Sequence, residues 1–379
     1  MYSSDIDDID IAIRPTVVEV RLDALRSNIE GVRSLVGTRK IMATVKANAY
    51  GHGLIHTSRA MLRFGVDELG VAFLEEGIAL RRAGVTAPIL VMGGIIGNQI
   101  SHFIEHDLMI TASSEFKLQQ IDSTAAQMKR RAKVHLKIDT GMGRIGIRHD
   151  HAHKLFAAAL KSKHCDLCGV FTHFSSSHAS DQTFTRVQLE RFADATRFFE
   201  THSHPMPTRH AANSGAVLQF PEAYFDMVRP GIMLYGVYPS HETKKIISLQ
   251  PVLSMRTRVV FFKVVLKGSA LGYDHTWTAI RNTRVVTLPF GYGDGYPRAL
   301  SNRGDVLIHG KRYPIVGRIS MDQCMVDIGD DSAYNDEEVI LIGSQGDERI
   351  TVEELAEKVD SIPYEILTCI NTRVPRKYV

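Results

Sequence analysis

The sequence predicts an α/β protein in which an N-terminal (β/α)8 barrel of the TIM type is followed by a mainly β C-terminal domain. Between residue 16 and about residue 235, short apolar runs alternate with segments of helical periodicity, as parallel strands joined by helical crossovers do. After about residue 245 the helical segments give way to Val-, Ile- and Leu-rich runs separated by turns. An open doubly wound sheet is the alternative, but no G-x-G-x-x-G motif follows the first strand, which argues against a dinucleotide-binding fold.

The first half of the chain contains nine strand candidates. Residues 16–20 form the first, and a helix begins near Asp23, with Leu22, Leu25, Ile29 and Val32 recurring on one face. Eight further apolar runs supply the barrel strands, at 41–45, 69–73, 89–92, 108–112, 134–138, 168–172, 208–212 and 226–229. The run at 208–212 is weakly apolar and is included for its spacing and for the small polar residues after it. Helical patterns between the runs are clearest at 75–83, 114–129, 151–161 and 183–201.

The second half is predicted to be a β domain with one clear helix. Its strand candidates lie within 252–266, 284–289, 305–309, 313–319, 324–328 and 338–342. The helix runs from Thr351 to about Lys358, where Thr351 as N-cap and Glu354 three residues later form a capping box. We therefore expect a barrel domain at 11–245 and a β domain at 246–379, with residues 1–10 packing on the β domain.

Composition and charge exclude several classes of protein. The chain has 379 residues, of which 44% are hydrophobic and 23% charged, as in an ordinary globular protein of two domains. The net charge is +3 without a basic block, so we expect no nucleic-acid partner. There is no apolar run of membrane-spanning length, and the acidic start is unlike a signal peptide, so we expect a cytoplasmic protein without membrane attachment. The pair Cys165 and Cys168 is interpreted as core cysteines, and no metal site is expected.

The segment from Ala43 to Gly53 carries the first chemical signal. Lys46 ends an apolar run, and a buried ammonium is costly unless it is paired or used chemically. Tyr50 and the turn Gly51-His52-Gly53 follow, and glycines let a backbone approach a ligand closely. Taken alone, Lys46 is better explained as an ordinary lysine whose aliphatic stem covers a strand end; the chemical interpretation is a lysine that forms a Schiff base.

Polar groups also end four other barrel strands. Lys137 and Asp139 share one face of the fifth strand and would point into the barrel, where Lys137 needs a counter-charge. The remaining groups are the loop 140–144 ending in Arg144, His173, the segment 210–215 and Arg229. Singly, His173 fits a core histidine and Arg229 a structural ion pair. Together they suit one anionic cofactor, because the carboxyl ends of barrel strands meet at one face and N–H groups near Ser214, Gly231 and Ile232 would hold a phosphate. With a lysine, this predicts a pyridoxal 5′-phosphate (PLP) site.

The chain resembles the alanine racemase family over essentially its whole length. The nine-residue match V-K-A-N-A-Y-G-H-G around Lys46 is the PLP-lysine motif of that family. Further matches occur in the same order, at 137–144 (KIDTGMGR), 172–174 (THF), 210–214 (HAANS), 228–232 (VRPGI), 291–298 (GYGDGYPR), 317–323 (GRISMDQ) and 373–376 (RVPR). The resemblance implies a PLP-dependent racemase of alanine that supplies D-alanine for peptidoglycan. It also implies a homodimer of barrel and β domains, in which Tyr273 and Met321 complete the partner's site.

The resemblance assigns roles residue by residue. Lys46 is the Schiff-base lysine and one catalytic base, and Tyr273 is the opposing base. Arg229 meets the pyridine nitrogen, while Arg144 meets the phenolic oxygen of the cofactor and the substrate carboxylate. Lys137 corresponds to a lysine that is often carbamylated. The phosphate binders are Tyr50, Ser214, Gly231, Ile232 and Tyr364; His173 and Asn213 complete the cofactor site, Met321 contacts the substrate, and Tyr292 lines the substrate entrance.

Two bases on opposite faces of a planar intermediate can remove and return the α-proton from either side, which is racemisation. A hydrogen-bond chain through His173 toward Arg229 would help the tyrosine to act as a base. Arg229 stays protonated, so it should donate to the ring nitrogen and leave it unprotonated, which makes the ring a weaker electron sink. A carbamate on Lys137 would turn a buried cation into an anion beside Arg144.

Two segments depart from the family pattern near the substrate entrance. Asp274-His275 follows Tyr273 where the family often has glycine, and Ser175-Ser176-Ser177-His178 replaces Ala-Thr-Ala-Asp. A racemase of serine or of broad specificity therefore remains an alternative. A PLP decarboxylase and a non-enzymatic PLP-binding barrel are further alternatives. The first should lack the Tyr273 motif, and the second should lack the C-terminal domain.

Overall fold

The computed structural model describes residues 14–379, so the packing expected for residues 1–10 lies outside the described residues. These residues form two compact units, one of residues 25–49 and 54–250, and one that contains residues 14–24, 50–53 and 251–379. The first strand, β1 (Val17–Val20), pairs with strands of the second unit. The division therefore differs from the expected one, because strand 16–20 completes the C-terminal sheet although it precedes the barrel in sequence.

The larger unit is a closed barrel of eight parallel strands. Its strands are β2 (Lys40–Thr44), β3 (Glu68–Val71), β4 (Ile89–Val91), β5 (Met109–Ala112), β6 (Ala132–Asp139), β8 (Cys165–Phe171), β9 (Thr208–His210) and β10 (Met227–Val228), and the short β7 (Ile147–Arg148) lies beside β6. The pairings β10–β2 and β5–β6 close the ring. Each of the eight predicted runs overlaps one of these strands, including the weakly apolar run at 208–212, so the predicted barrel is confirmed.

Helices connect the strands of the barrel. They are α1 (Leu22–Val36), α2 (Leu54–Arg63), α3 (Leu74–Arg82), α4 (Ile100–Glu105), α5 (Glu115–Gln127), α6 (Ala152–Lys161), α7 (Thr183–Thr201) and α8 (Ser214–Gln219). The four clearest helical patterns of the sequence correspond to α3, α5, α6 and α7. Part of the barrel interior is apolar, with a cluster of Met42, Leu90, Met109, Phe171 and Met227. In barrels of this type the active site lies at the carboxyl ends of the strands.

The second unit is built mainly from antiparallel strands. Its strands after β1 are β11 (Leu253–Arg258), β12 (Phe261–Val265), β13 (Ala270–Leu271), β14 (Trp277–Thr278), β15 (Thr283–Leu288), β16 (Asp305–Ile308), β17 (Lys311–Val316), β18 (Cys324–Gly329), β19 (Glu338–Gln345), β20 (Glu348–Ile350) and β21 (Arg376–Tyr378). The main sheet has the order β12-β15-β18-β17-β16-β19-β11-β1-β21. The predicted β domain is confirmed.

Two helices, rather than the single one predicted, lie in this unit. The predicted helix is α9 (Val352–Lys358), and the Thr351 hydroxyl caps it by accepting from the Glu354 N–H at 3.1 Å. Only this half of the capping box forms, because the Glu354 carboxylate binds Arg312 and Lys358 instead. The second helix, α10 (Pro363–Cys369), has the same length of seven residues and was missed because no polar cap residue marks its start. Among residues 14–379 there is no helix with the length and apolar character needed to cross a bilayer.

Candidate active site

The backbone that follows β2 makes a left-handed turn. Ala47, Asn48, Ala49 and Tyr50 have φ values between 52° and 56°, a region that non-glycine residues seldom occupy. The turn is held by two side chains: Glu76 Oε1 accepts from the Ala47 N–H at 2.6 Å, and Asn48 Oδ1 accepts from the Leu54 N–H at 2.8 Å. Several consecutive residues in a costly conformation persist only where the surroundings hold them, which is common at functional sites. Lys46 stands at the start of this turn.

Lys46 is partly buried, and its pKa is lowered. Burial and the nearby Arg144 cation lower the pKa of Lys46, and the Glu76 carboxylate opposes this only in part. A lysine with a lowered pKa is a better nucleophile and base at neutral pH than a surface lysine. The position of Lys46 at a strand end therefore favours the chemical interpretation over a lysine that only covers apolar surface.

Lys137 lies in the barrel interior, as its place on the predicted inner face of β6 required. Its side chain is buried, and its Nζ lies 4.3 Å from the centre of the Phe171 ring. Burial, Arg229 and Arg144 lower the pKa of Lys137 well below its ordinary value. Within the described residues no carboxylate forms an ion pair with Lys137, so the expected counter-charge is not supplied in that way. Burial instead favours the uncharged amine.

Arg229 is anchored by three hydrogen bonds inside the barrel. One terminal nitrogen contacts His210 Nδ1 at 2.9 Å, and the other donates to the Thr172 carbonyl at 2.7 Å and the Ala211 carbonyl at 3.2 Å. Burial lowers the pKa of Arg229 to about 9, so the guanidinium is still charged at neutral pH. A buried cation held by carbonyls and an imidazole has a fixed orientation.

The hydrogen-bond chain within the described residues differs from the one expected through His173. The chain that starts at Arg229 runs through His210, whose Nε2 contacts His135 Nδ1 at 2.9 Å. His173 follows β8 and is neutral, because burial and the cations Lys137, Arg229, Arg144 and Lys46 lower its pKa well below the ordinary value. No hydrogen bond joins His173 to Arg229 in the part of the chain that is described. His173 is therefore near the same cations without being the link between them.

Two neighbouring turns form a cradle of backbone N–H groups. The Ser214 hydroxyl accepts from the Gly231 N–H at 2.8 Å and the Met233 N–H at 3.4 Å, which joins the start of α8 to the turn after β10. Asn213 caps α8 by accepting from the Ala216 N–H at 3.1 Å. A Cβ at Gly215 would lie 2.8 Å from the Ser177 carbonyl, so only glycine fits there. The predicted neighbours Ser214, Gly231 and Ile232 are thus brought together in an arrangement that suits a phosphate.

The loop that carries Arg144 is ordered by polar contacts at its base. Asp139 Oδ1 accepts from the Gly141 N–H at 2.9 Å and the Gly143 N–H at 3.1 Å. Arg191 donates to the Thr140 carbonyl at 2.9 Å. Arg144 itself is exposed, and its charge contributes to the lowered pKa values of Lys46, Lys137 and His173. The loop therefore presents an exposed cation beside three basic groups whose uncharged forms are favoured.

In the segment 175–178, which departs from the family pattern, two serines form hydrogen bonds with other residues of the barrel unit. Gln188 Oε1 accepts from both the N–H and the hydroxyl of Ser175, at 2.9 and 3.1 Å. The Ser177 hydroxyl donates to Asn213 Oδ1 at 2.6 Å. The replacement of the family's usual residues thus adds support to the segment that follows His173 and to the cap of α8.

In the second unit, the candidate residues Tyr273, Met321 and Tyr292 lie at its surface. Their exposed fractions are 68%, 52% and 41%. Tyr273 follows Gly272, whose φ is 75°, and precedes Asp274 and His275 at φ values of 60° and 51°. Asp274 is 3.4 Å from Arg318 Nε, so this departure from the family pattern forms an ion pair that ties the Tyr273 turn to its own unit. A surface aromatic on an ordered turn is available to a second molecule.

A buried carboxylate organises the neighbouring loop. Asp294 is fully buried, accepts from the Gly291 N–H at 3.0 Å, and binds Arg14 at 2.5 Å and Arg373 at 2.8 Å. Arg373 also donates to the Met321 carbonyl at 3.3 Å. This network fixes the loops of Tyr292 and Met321 relative to each other, because a buried charge of this kind persists only with its partners.

The glycines of the turn Gly51-His52-Gly53 allow close packing within the protein. A Cβ at Gly51 would collide with the Leu367 carbonyl oxygen, and one at Gly53 with the Tyr378 hydroxyl. The turn therefore approaches helix α10 and strand β21 closely. Tyr50 and Tyr364 belong to the same unit, with ring centres 6.1 Å apart, and burial raises the pKa of both phenols, that of Tyr364 to about 12. Both are neutral hydrogen-bond donors.

Sequence reasoning assigned no role to Glu76, His210 or His135. The signal for His135 was present, because it alternates with Lys137 and Asp139 on one face of β6. His210 is the first residue of the motif at 210–214, but its contact with Arg229 depends on the barrel closing. Glu76 gave no local sign of binding Ala47, which lies 29 residues earlier.

The buried histidines predict an acid-sensitive barrel. Burial lowers the pKa of His135 from 6.5 to about 3 and that of His210 well below 6.5. Below pH 6.5 these histidines become protonated in the unfolded chain but stay neutral in the folded chain. Their contribution to the free energy of unfolding is therefore fully present above pH 6.5 and decreases as the pH falls below it. Each histidine contributes up to about 1.4 kcal/mol per pH unit to this loss. Urea denaturation at about pH 7 and about pH 5 measures it.

A control for this prediction is His241→Gln, since the His241 side chain is 88% exposed. The variant should show the same pH dependence as the parent protein. Equal midpoints at both pH values in the parent would contradict the prediction.

Comparison with known proteins gives a consistent result over both units. The protein-family model "Alanine racemase, N-terminal domain" matches residues 20–239, and "Alanine racemase, C-terminal domain" matches residues 252–378. Alanine racemase 2 of Caldanaerobacter subterraneus subsp. tengcongensis is 42% identical over 370 residues, which are 97% of this chain and 95% of that protein.

Solved structures agree with this comparison. The crystal structure of alanine racemase from Bacillus anthracis with bound L-Ala-P is 36% identical, with a TM-score of 0.92 and coverage of 97% of this chain and 95% of that one. Histidine racemase from Leuconostoc mesenteroides subsp. sake has the same fold, at 28% identity, a TM-score of 0.89 and coverage of 97% and 98%.

Proposed function

The chain belongs to the alanine racemase family of isomerases, and on that premise we propose that it interconverts L-alanine and D-alanine with PLP as cofactor. The observation that carries the proposal is Lys46 with its lowered pKa, on a strained turn at the end of β2, in a chain whose relatives named alanine racemase are about 40% identical over nearly its whole length. Fold alone would not support a substrate, since one fold hosts many activities.

The residues of the barrel unit fit PLP. Lys46 would hold the cofactor through its ε-amine, and the N–H cradle of Ser214, Gly231 and Ile232 would hold its phosphate, with Asn213 as a further donor. The fit rests on two observations: the Ser214 hydroxyl ties two N–H-rich turns together, and Gly215 leaves no room for a side chain beside them. When bound, PLP withdraws electrons from the α-carbon of an amino acid and so acidifies its proton.

Lys46 and Tyr273 are proposed as the two bases. One base must remove the α-proton from one face, and the other must deliver a proton to the opposite face, or the chirality at carbon does not change. The lowered pKa of Lys46 supports its role, because a base must be unprotonated to accept. The exposed position of Tyr273 on an ordered turn supports its action in a second copy of the chain.

Arg229, Arg144 and His173 are proposed as the remaining polar groups of the cofactor site. Arg229 is a permanent donor in a fixed orientation, so it suits the pyridine nitrogen and leaves that nitrogen unprotonated. Arg144, exposed on its loop, suits the carboxylate of the substrate and the phenolic oxygen of the cofactor. Met321 would contact the substrate, and Tyr292 would line the entrance to the site.

A homodimer, a cytoplasmic location and a role in supplying D-alanine for peptidoglycan complete the proposal. In the dimer, Tyr273 and Met321 of one chain would complete the site of the other, which is supported by the exposure of both side chains. All four cysteines are free thiols, which suits a reducing compartment.

Chiral analysis tests the proposed reaction. Purified protein incubated with PLP and with each of a panel of L-amino acids should racemise alanine with the highest kcat/KM. The Leuconostoc histidine racemase shares this fold, so histidine and serine belong in the panel, as does a search for decarboxylated products. Racemisation of another amino acid in strong preference to alanine, or of none, would reject the proposal.

Lys137 is proposed to carry a carbamate. Its neutral amine can attack carbon dioxide and release one N–H proton to solvent, and the resulting carbamate anion would lie near the cations Arg229 and Arg144, which would stabilise it. Protein in 13C-bicarbonate should give one protein-bound carbamate signal by 13C NMR, and Lys137→Met should remove it. A parent protein without that signal, or a signal that survives in the variant, would disprove the modification.

A further inference from the structure

A buried hydrogen-bond chain joins Arg229, His210 and His135, and the donor and acceptor of each bond follow from the side chains involved. All three are at most 3% exposed. A guanidinium can only donate, so His210 Nδ1 must accept at the 2.9 Å contact with Arg229. A neutral His210 then carries its proton on Nε2 and donates it to His135 Nδ1, also at 2.9 Å. His135 in turn carries its proton on Nε2, which has no hydrogen-bond partner among residues 14–379.

The strand next to β6 accommodates the His135 ring through a register shift and a glycine. In the β6–β8 pairing the register shifts between Val134 and His135, so that His135 lies opposite Gly169. A Cβ at Gly169 would collide with His135 Nδ1 and lie 2.6 Å from its Cε1, so any larger residue would displace the ring. A β-bulge re-aims a side chain, and here it directs the His135 ring at His210, with ring centres 5.0 Å apart.

The second ring of the chain is held as well. His210 stacks on Phe171, with ring centres 4.9 Å apart and an angle of 7° between the planes. Stacking fixes the plane of the imidazole but leaves open which nitrogen carries the proton. Only the hydrogen bonds at the two nitrogens decide that.

We propose that His135 is a positioning residue for the racemase reaction, acting by holding His210 in the tautomer that accepts from Arg229. Without an acceptor at His135, the Nε2 tautomer of His210 would lose one of its two hydrogen bonds, and its advantage over the Nδ1 tautomer, whose proton would face an N–H of Arg229, would be smaller. Two donors in contact repel, so the guanidinium would lose one of its three anchors. The inference rests on the proposed function only where it assigns Arg229 to the cofactor ring.

The proposed role in the reaction depends on the Nε–H group of Arg229. Within the described residues the Nε–H of Arg229 donates to no protein acceptor, while its terminal nitrogens are held by His210 and two carbonyls. A fixed guanidinium presents a donor in a constant direction. A loosened one would hydrogen-bond the ring nitrogen less well and would lower kcat more than it raises KM.

A matched pair of substitutions separates tautomer control from packing. His135→Asn places an amide oxygen near the position of Nδ1 and keeps an acceptor, whereas His135→Leu has no acceptor. The Leu variant should lose about ten- to a hundredfold in kcat with little change in KM, as displaced orienting groups do. The Asn variant should retain kcat within about threefold of the parent. Equal losses in both variants would overturn the proposal, because packing alone would then explain them.

Nitrogen NMR of the 15N-histidine-labelled full-length protein reads the tautomers directly. In the parent protein His210 should be protonated on Nε2 and unprotonated on Nδ1, with its signals assigned by their loss in His210→Gln. The Leu variant should show a mixture of tautomers, and the Asn variant should show the parent pattern. A parent His210 that carries its proton on Nδ1 overturns the proposal even if neither variant folds.

The two measurements also separate this inference from the proposed function. Tautomers are visible without substrate, so a protein with the expected His210 tautomer and no racemase activity would reject the function and, with it, the role in the reaction. A racemase whose Leu variant has full activity and an unchanged His210 tautomer would reject the inference alone.

Discussion

Replacement of Lys46 by alanine should abolish racemisation, with a loss of at least about a thousandfold, because one general base alone contributes two to four orders of magnitude. The variant should also lose the visible absorbance of covalently held cofactor. Lys46 is the group that would both hold the cofactor and transfer a proton, and its lowered pKa makes it available for both tasks. Absorbance spectra and chiral assays of the purified variant measure the two effects separately.

Two further variants show which property of Lys46 matters. Lys46→Arg keeps a cation next to Arg144 and Glu76 but offers no nucleophilic amine at neutral pH, so it should be as inactive as the alanine variant. Lys163→Ala removes an exposed lysine of the same unit and should leave activity unchanged. If Lys46→Ala retained both the absorbance and full activity, the proposed cofactor site would be wrong.

Replacement of Tyr273 by phenylalanine should remove one of the two bases and leave the ring. Net racemisation should fall by about two to four orders of magnitude in both directions, because each direction needs both bases. Exchange of the α-proton with solvent should differ between the enantiomers, since Lys46 can still remove the proton from one of them. Incubation of each enantiomer in D2O, followed by proton NMR, measures this asymmetry.

The fold should tolerate this change, because the Tyr273 side chain is 68% exposed. Tyr334→Phe is the matched control, since Tyr334 is 59% exposed in the same unit and has no proposed role. Slight and equal effects of Tyr273→Phe on both enantiomers would count against the two-base assignment and would favour a single base.

The two departures from the family pattern make contacts within their own units. Asp274 forms an ion pair with Arg318 across 3.4 Å, and both groups are partly exposed, so the pair contributes at most about 1 kcal/mol. Ser175 and Ser177 bind residues of the barrel itself. These contacts support the local loops and do not by themselves favour serine over alanine.

Much of the fold could be predicted because its signals are local. The eight barrel strands and helices α3, α5, α6 and α7 were recognised from apolar runs and from three-to-four-residue spacing, which depend only on neighbours in sequence. Helix α10 was missed because it is short and has no polar cap residue at its start, and the membership of β1 was misjudged because pairing with β11 and β21 is a long-range event. Strand identity is a local property, whereas strand partnership is not.

In the candidate site, too, the residues could be recognised from local sequence, whereas their hydrogen-bond partners could not. Motifs identified Lys46, Arg229 and Ser214, and the position of Lys137 on an inner face followed from the two-residue repeat of a strand. The partners of these residues did not follow from the sequence. A hydrogen-bond chain through His173 toward Arg229 was expected. In the structure the imidazole that contacts the Arg229 guanidinium is that of His210, on the neighbouring strand.

The sequence by itself determined the barrel, the β domain and the position of Lys46 at a strand end, because periodicity and short motifs carry that information within a few residues. Only the tertiary structure decided which polar atoms meet. His135 and His210 are 75 residues apart and touch because a bulge and a glycine in the opposite strand make room for one ring. The turn after Lys46 is strained and is held by Glu76 from a later helix. Hydrogen bonds require ångström-scale geometry, which arises only when the register of the whole barrel is complete.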